Sequence, residues 1–238
     1  MKKLVAVLML FTLAFSLVSC GAVDPNAKSE GTMTHAEYFA VEADAEAPVV
    51  IEAFVQGKQG WWNNKAVFYL QDGDGGYIVY DLPCTEAEYD QLAIGTKIKV
   101  TGYKTIYNGL HEIYDNEATF EILEDTWVAE AQDLTGKLTD TEALKKKQGA
   151  LAKFTDMTVA AVAYKSVDED GNSTDDIYVT LTKDGVDYDF CVEVYLTGTT
   201  TDVYKTACAL KAGDVIDVEG FVYWWNDFNP HITKVTKK

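Results

Sequence analysis

Past residue 48, the alternation of apolar and polar positions divides the chain into short strands separated by turn residues, with few stretches of helical period. Residues 49–55 pass from an apolar run into alternation and predict a first strand. Ala66-Val67-Phe68-Tyr69-Leu70 and Tyr77-Ile78-Val79-Tyr80 flank the turn chemistry of Asp72-Gly73-Asp74-Gly75-Gly76 and predict a hairpin. Thr85 and Glu88 have capping-box spacing, with Tyr89 and Leu92 at helical intervals, so one short helix precedes a fourth strand at 98–103. The turn pair Asn108-Gly109 leads into a fifth strand over 110–123. A second series follows in the same order. It has strand 151–163, an acidic loop at 168–176, strand 177–181, a turn at Asp184-Gly185 and strand 188–195. A helix over 199–210, strand 215–223, a turn at Asn226-Asp227 and a last strand at 231–235 complete it.

The two series share a phrase. Leu92-Ala93-Ile94-Gly95-Thr96-Lys97-Ile98-Lys99-Val100-Thr101-Gly102-Tyr103 returns 118 positions later as Leu210-Lys211-Ala212-Gly213-Asp214-Val215-Ile216-Asp217-Val218-Glu219-Gly220-Phe221, with the same glycine spacing. The chain therefore reads as a tandem duplication of one small β-rich unit. Five strands with a helix between the third and fourth is the order of the OB-fold, a Greek-key barrel whose closure removes exposed sheet edges. The expected fold is mainly β, two tandem five-stranded OB-fold barrels. Phe68 through Tyr80, together with Gly95 and Gly102, resembles the OB-fold domains of secreted bacterial nucleases and surface lipoproteins. The second copy matches loosely, because Thr182-Lys183-Asp184-Gly185-Val186 replaces the glycine-rich turn. The resemblance implies a binding module, since in the nucleases of that group the chemistry resides in another domain.

Before the barrels, Lys2 and Lys3 precede an apolar run over 4–17 and then Ser19-Cys20-Gly21. This reads as an export signal at 1–20, and its end resembles a bacterial lipobox, which implies a lipid-carrying Cys20 and anchorage to a bacterial membrane. The apolar core is shorter than the ~20 residues a spanning helix needs. Small and polar residues over 21–34 read as a tether. The domain division is then 35–124 for the first barrel, 125–147 for a connector with one helix at 141–147, and 148–238 for the second barrel. Behind the signal, Cys84, Cys191 and Cys208 are an odd set. Cys191 and Cys208 either pair within the second copy or stay as buried thiols.

Charge narrows the partners. Lys2 and Lys3 are two of the 20 basic residues, so 18 lysines face 38 acidic residues beyond the signal, and there is no arginine. Such an excess repels polyanions, and without arginine the guanidinium fork that reads phosphate and guanine is missing. Lys97, Lys99 and Lys104 lie close together in the first copy, against Asp214 and Asp217 in the second.

Two tryptophan pairs, Trp61-Trp62 and Trp224-Trp225, fall in loops that flank the ligand face of OB-folds. Neighbours on a strand point to opposite faces, so at most one of each pair is core, and the other either serves as a stacking platform for a sugar or a base or plugs a barrel end or the contact between the copies. Tyr69, Tyr80 and Tyr107 pose the same question of surface or core, with core the stronger reading for those on the alternation. In the acidic loop, Asp168, Asp170, Asn172, Thr174 and Asp176 place oxygens at alternate positions like a calcium loop, but Ser173 and Val179 replace its glycine and bidentate glutamate. Solvated acids are the stronger reading there. His35, His111 and His231 are scattered, His111 and His231 are expected at surface strand positions, and no nucleophile or phosphate-loop spacing occurs. The sequence thus predicts a non-enzymatic binding protein for an oligosaccharide or protein partner, with single-stranded nucleic acid and a structural envelope role as alternatives.

Overall fold

The computed structural model describes residues 23–43, 45–114 and 117–238. The expected signal, with Cys20, lies outside the described residues. The chain runs α1 (His35–Ala40), β1 (Val49–Lys58), β2 (Lys65–Gln71), β3 (Gly76–Pro83), α2 (Glu86–Gln91), β4 (Thr96–Gly102), β5 (Lys104–Tyr107), β6 (Leu110–Tyr114) and β7 (Thr119–Thr126). A connector carries β8 (Gln132–Asp133) and α3 (Thr141–Lys145). The second unit has β9 (Leu151–Tyr164), β10 (Ile177–Lys183), β11 (Val186–Val192), α4 (Val194–Thr197), α5 (Asp202–Cys208), β12 (Val215–Phe221), β13 (Trp224–Trp225), β14 (Asp227–Phe228) and β15 (His231–Lys237).

Both units are OB-fold barrels. In the second, β9, β10, β11, β15 and β12 pair in that order, and β12 returns to β9. Its parallel contact, Cys191 opposite His231, joins third and fifth strands. In the first, β4–β5 act together as the fourth strand and β6–β7 as the fifth. β6 runs parallel to β3 at Val79 and Ile113, while β7 pairs with β4 and β4 with β1, which closes the same circuit. The duplicated phrase does the same work in each barrel. Gly95 and Gly213 both have φ of +91°, a conformation in which a side chain is strained, and their amides donate to Val55 and Val159 of the first strands. The capping box at Thr85 forms as the spacing predicts. The second helix is shorter than expected, starting behind the cap Thr201.

Several segments sit differently from the sequence reading. The polar stretch expected as a tether lies against barrel one where it is described. Lys28 Nζ donates to Asp72 at 2.7 Å and to the Glu52 carbonyl, and Met33 bridges to Ile51. A lysine stem and ion pair outweigh the flexibility that small residues suggest. The three cysteines are free thiols, with Cys84 and Cys191 buried. His231 is buried at the junction of the barrels rather than on a surface strand, and His35 is also buried. Asp168 turns inward on its own loop, accepting from Asn172 Nδ2 and from the Asp170 and Asn172 amides, whereas Asp176 pairs with Lys165 at 3.1 Å. Asp168, Asp170, Asn172 and Asp176 therefore do not converge, and no acid, histidine and cysteine cluster among the described residues is arranged to hold a metal.

The barrels share a core. On β2, Ala66, Phe68 and Leu70 face the interior of barrel one, while Val67 and Tyr69 face barrel two. On β3, Tyr77 and Val79 point in and Ile78 points across. Both faces of this hairpin are covered, which is why its strands read as unbroken apolar runs rather than alternation. Tyr69 stacks on Phe221 at 4.4 Å and its hydroxyl meets His231 Nδ1 at 2.8 Å. The backbone of Gly76 rests on that of Gly149 and Ala150, so closely that a Cβ there would lie 2.0 Å from the Ala150 nitrogen. The glycine-rich turn thus serves the junction as well as the hairpin.

Candidate ligand groove between the barrels

Because barrel two covers the outer face of β2 and β3, the open surface is displaced to the seam between the barrels. Three adjoining hollows line it, and Tyr80 on β3 contributes to all of them. One end is walled by Trp62 and Tyr195. The middle is floored by Glu193 and Tyr223. The other end is a hollow of about 490 Å³ enclosed by Tyr80, Tyr107, Tyr114, Tyr223 and Trp225 around Glu112 and Thr105.

The tryptophan pairs split as their adjacency requires. Trp62 is 71 % exposed and Trp225 is 51 % exposed, whereas Trp224 is buried at 3 % in the shared core. Trp61 is half-buried, donates from Nε1 to the Cys84 carbonyl at 2.9 Å and packs on the core of barrel one. Tyr107, 56 % exposed, meets Trp225 edge to face at 5.6 Å. The short β13–β14 hairpin fixes that encounter, since the Asn226 amide donates to the Asn108 carbonyl across the seam. Of the seven aromatic candidates, Trp62, Tyr80, Tyr107 and Trp225 therefore reach the groove. Tyr69 and Trp224 are core residues, and Trp61 is a packing residue. Tyr69 is corrected by its position on a strand face that looks outward from its own barrel but into the next.

Sequence reasoning missed Tyr114, Tyr195, Tyr223, Glu112 and Glu193. Tyr114 follows the alternation of β6, which puts Leu110, Glu112 and Tyr114 on one face, and that pattern was the available signal. The others depend on how one barrel docks on its copy.

Charge in the groove is negative. Glu193 accepts from Gln59 Nε2 across the seam at 3.0 Å and from the Tyr195 and Leu196 amides, yet burial still pushes its carboxyl up to about 7. Burial, with Asp81 nearby, pushes Glu112 up to about 7 as well. His231, held down to about 3 by burial, is neutral. The two lysines on the groove are already paired, Lys65 with Asp81 at 2.5 Å and Lys165 with Asp175 and Asp176. The lysines that the sequence places close together do not form a basic face either. Lys97 is buried against Ala27, Glu52 and Asp125, and Lys104 donates to the Tyr38, Phe39 and Val41 carbonyls at the end of α1.

No protein-family model matches this chain, and no curated protein aligns with it significantly. Solved structures similar in shape include a murine DNA binding protein bound with double-stranded DNA, at 12 % identity and a TM-score of 0.37, covering 81 % of this chain and 96 % of that one. A replication protein A heterotrimer bound to single-stranded DNA gives 12 % and 0.35, covering 84 % of this chain and 51 % of that one. A deletion mutant of the single-stranded DNA binding protein from Thermus aquaticus gives 14 % and 0.24, covering 80 % and 93 %. Likeness at this level assigns neither family nor ligand. The fold assignment stands on the strand order of the two barrels.

Proposed function

We propose that this protein is a non-enzymatic binding protein that holds an oligosaccharide along the groove between its barrels, and that Cys20 tethers it by lipid to a bacterial membrane. The carrying observation is the set of exposed rings on one groove, Trp62, Tyr107 and Trp225, alternating with carboxyls, while its lysines, Lys65 and Lys165, are paired with acids. Ring faces stack on the C–H faces of sugars, and carboxylates accept from hydroxyls, so this pairing suits a neutral or positively charged saccharide. Catalysis has less support, because the thiol beside Glu193, Cys191, is pushed up by burial and so stays protonated.

A second reading is single-stranded nucleic acid, which the same exposed rings favour by base stacking. Against it stand the buried Lys97 and Lys104 and the acids of the groove, since binding a polyanion requires basic groups that displace its counterions. Tryptophan fluorescence of residues 21–238, titrated with cell-wall and dietary oligosaccharides and with a single-stranded oligonucleotide at low salt, separates the two. A saturable, salt-insensitive response to saccharide is expected, reduced about tenfold in Trp62→Ala or Trp225→Ala, on the scale of one stacking contact. Saturable, salt-sensitive binding of the oligonucleotide alone would transfer the assignment to nucleic acid.

A further inference from the structure

One carboxyl in the groove takes no part in joining the barrels. Glu112 lies mid-strand on β6, on the face shared by Leu110, which packs into the common core, and Tyr114, which is exposed. It is 5 % exposed. The other groove acids are engaged, Glu193 by Gln59 and two amides, Asp81 by Lys65, and Asp176 by Lys165. Among the described residues no hydrogen-bond donor or cation is paired with the Glu112 carboxyl, and burial and Asp81 are what act on it. The carboxyl lines the hollow and accepts no hydrogen bond there from the described residues, so it is placed to take a donor from a bound ligand.

The walls around it say what that donor is. Tyr80, Tyr107, Tyr114, Tyr223 and Trp225 surround the carboxyl, and no basic side chain lines this hollow. Tyr80 and Tyr114 meet edge to face at 5.9 Å, and Tyr107 and Trp225 at 5.6 Å, so their faces are turned at different angles about the same space. Aromatic faces carry negative quadrupole potential and attract a cation within about 6 Å of the ring centre, most strongly where water is excluded. A carboxylate at the base supplies the counter-charge. A phosphate is repelled by the same arrangement, and a neutral hydroxyl gains from the carboxylate but not from the surrounding rings.

We propose that the hollow around Glu112 binds an organic ammonium group and, resting on the saccharide reading above, that the group is the free amine of an amino sugar in the bound oligosaccharide. Trp62, at the other end of the groove, then stacks on another unit of the same oligosaccharide.

Calorimetry at neutral pH with a glucosamine oligomer, its fully N-acetylated counterpart and tetramethylammonium chloride tests this. The amine form is expected to bind about tenfold tighter than the acetylated form, the scale of one desolvated cation–ring contact, and tetramethylammonium is expected to compete with it. Glu112→Gln should remove that preference, bringing the amine oligomer down to the affinity of its acetylated counterpart. Tyr107→Ala, at an exposed ring outside the core, should weaken tetramethylammonium binding. Equal affinity for amine and acetylated oligomers, or an amine preference that survives Glu112→Gln, would overturn the ammonium site and leave the saccharide reading in place. Tetramethylammonium binding without either oligomer would do the reverse, supporting the ammonium site and removing the saccharide.

Discussion

At the scale of single residues, the decisive side chains of the groove are placed where a charged group is expensive, and Glu112 shows this in its own stability. Its folded-state pKa, about 7, lies above the ordinary value of 4.5, so the folded protein binds the proton more tightly than the unfolded chain between those limits. Stability from this site is complete below about pH 4.5 and is lost as pH rises through 7. Glu112→Gln cannot ionise, so the variant should match the parent near pH 4.5 and exceed it by roughly 3 kcal/mol at pH 8, since one pKa unit is ~1.4 kcal/mol. Urea unfolding at the two pH values reads the difference directly. Glu193, also raised, and His111 and His231, both lowered, contribute slopes of their own, but these are present in parent and variant and cancel in the comparison. A gap of the same size at both pH values would mean that the carboxyl is solvated and the groove more open than its walls imply.

Among the elements, α1 shows how a short helix is held where propensity is insufficient. Its six residues begin with the Thr34–Glu37 capping box and end on Val41, and the end is tied by the Lys104 ammonium, which donates to the Tyr38, Phe39 and Val41 carbonyls at 3.0, 2.8 and 2.6 Å. Lys104→Met keeps the stem and removes the ammonium that the part-buried Phe39 and Val41 carbonyls accept from, while the Tyr38 carbonyl keeps the Val41 amide. A loss of about 2–3 kcal/mol is expected, in the range for hydrogen bonds to a charged group, checked by thermal unfolding. Equal stability would mean that water replaces the ammonium there. This lysine also marks what the sequence could and could not reveal. Strand and helix order, the two capping boxes over Thr85 and Thr34 and the matched turns at Gly95 and Gly213 follow local rules of period, cap and positive φ, and the strands, the Thr85 box and the repeat were legible. Lys97 and Lys104 looked like surface charges, because a lysine's partners here are carbonyls and acids far along the chain. Likewise, adjacency told that one tryptophan of each pair faces out, but which one depended on the docking of the second barrel, and so did the acids Glu112 and Glu193.

For the whole molecule, the consequence of duplication is that the two barrels are not independent domains on a string. Val67, Tyr69, Ile78 and Leu110 of the first belong to the same buried cluster as Phe221, Val222, Tyr223 and Trp224 of the second, and the groove exists only where they meet. Elements that share a buried apolar cluster should unfold together, so calorimetry of residues 21–238 is expected to show one transition. Gly76 is the place to break that coupling. A Cβ there meets the Ala150 nitrogen at 2.0 Å and the Gly149 carbonyl carbon at 2.1 Å, and main-chain atoms cannot turn aside as a side chain would. Gly76→Ala should therefore separate the barrels locally, costing about 1–3 kcal/mol as overpacking does, divide the single transition into two and abolish ligand binding without touching a groove residue. If the parent protein already melts in two separate steps, the shared core does not couple the barrels. If Gly76→Ala splits the transition but leaves binding intact, the ligand rests on one barrel alone, and the groove between them is only its approach.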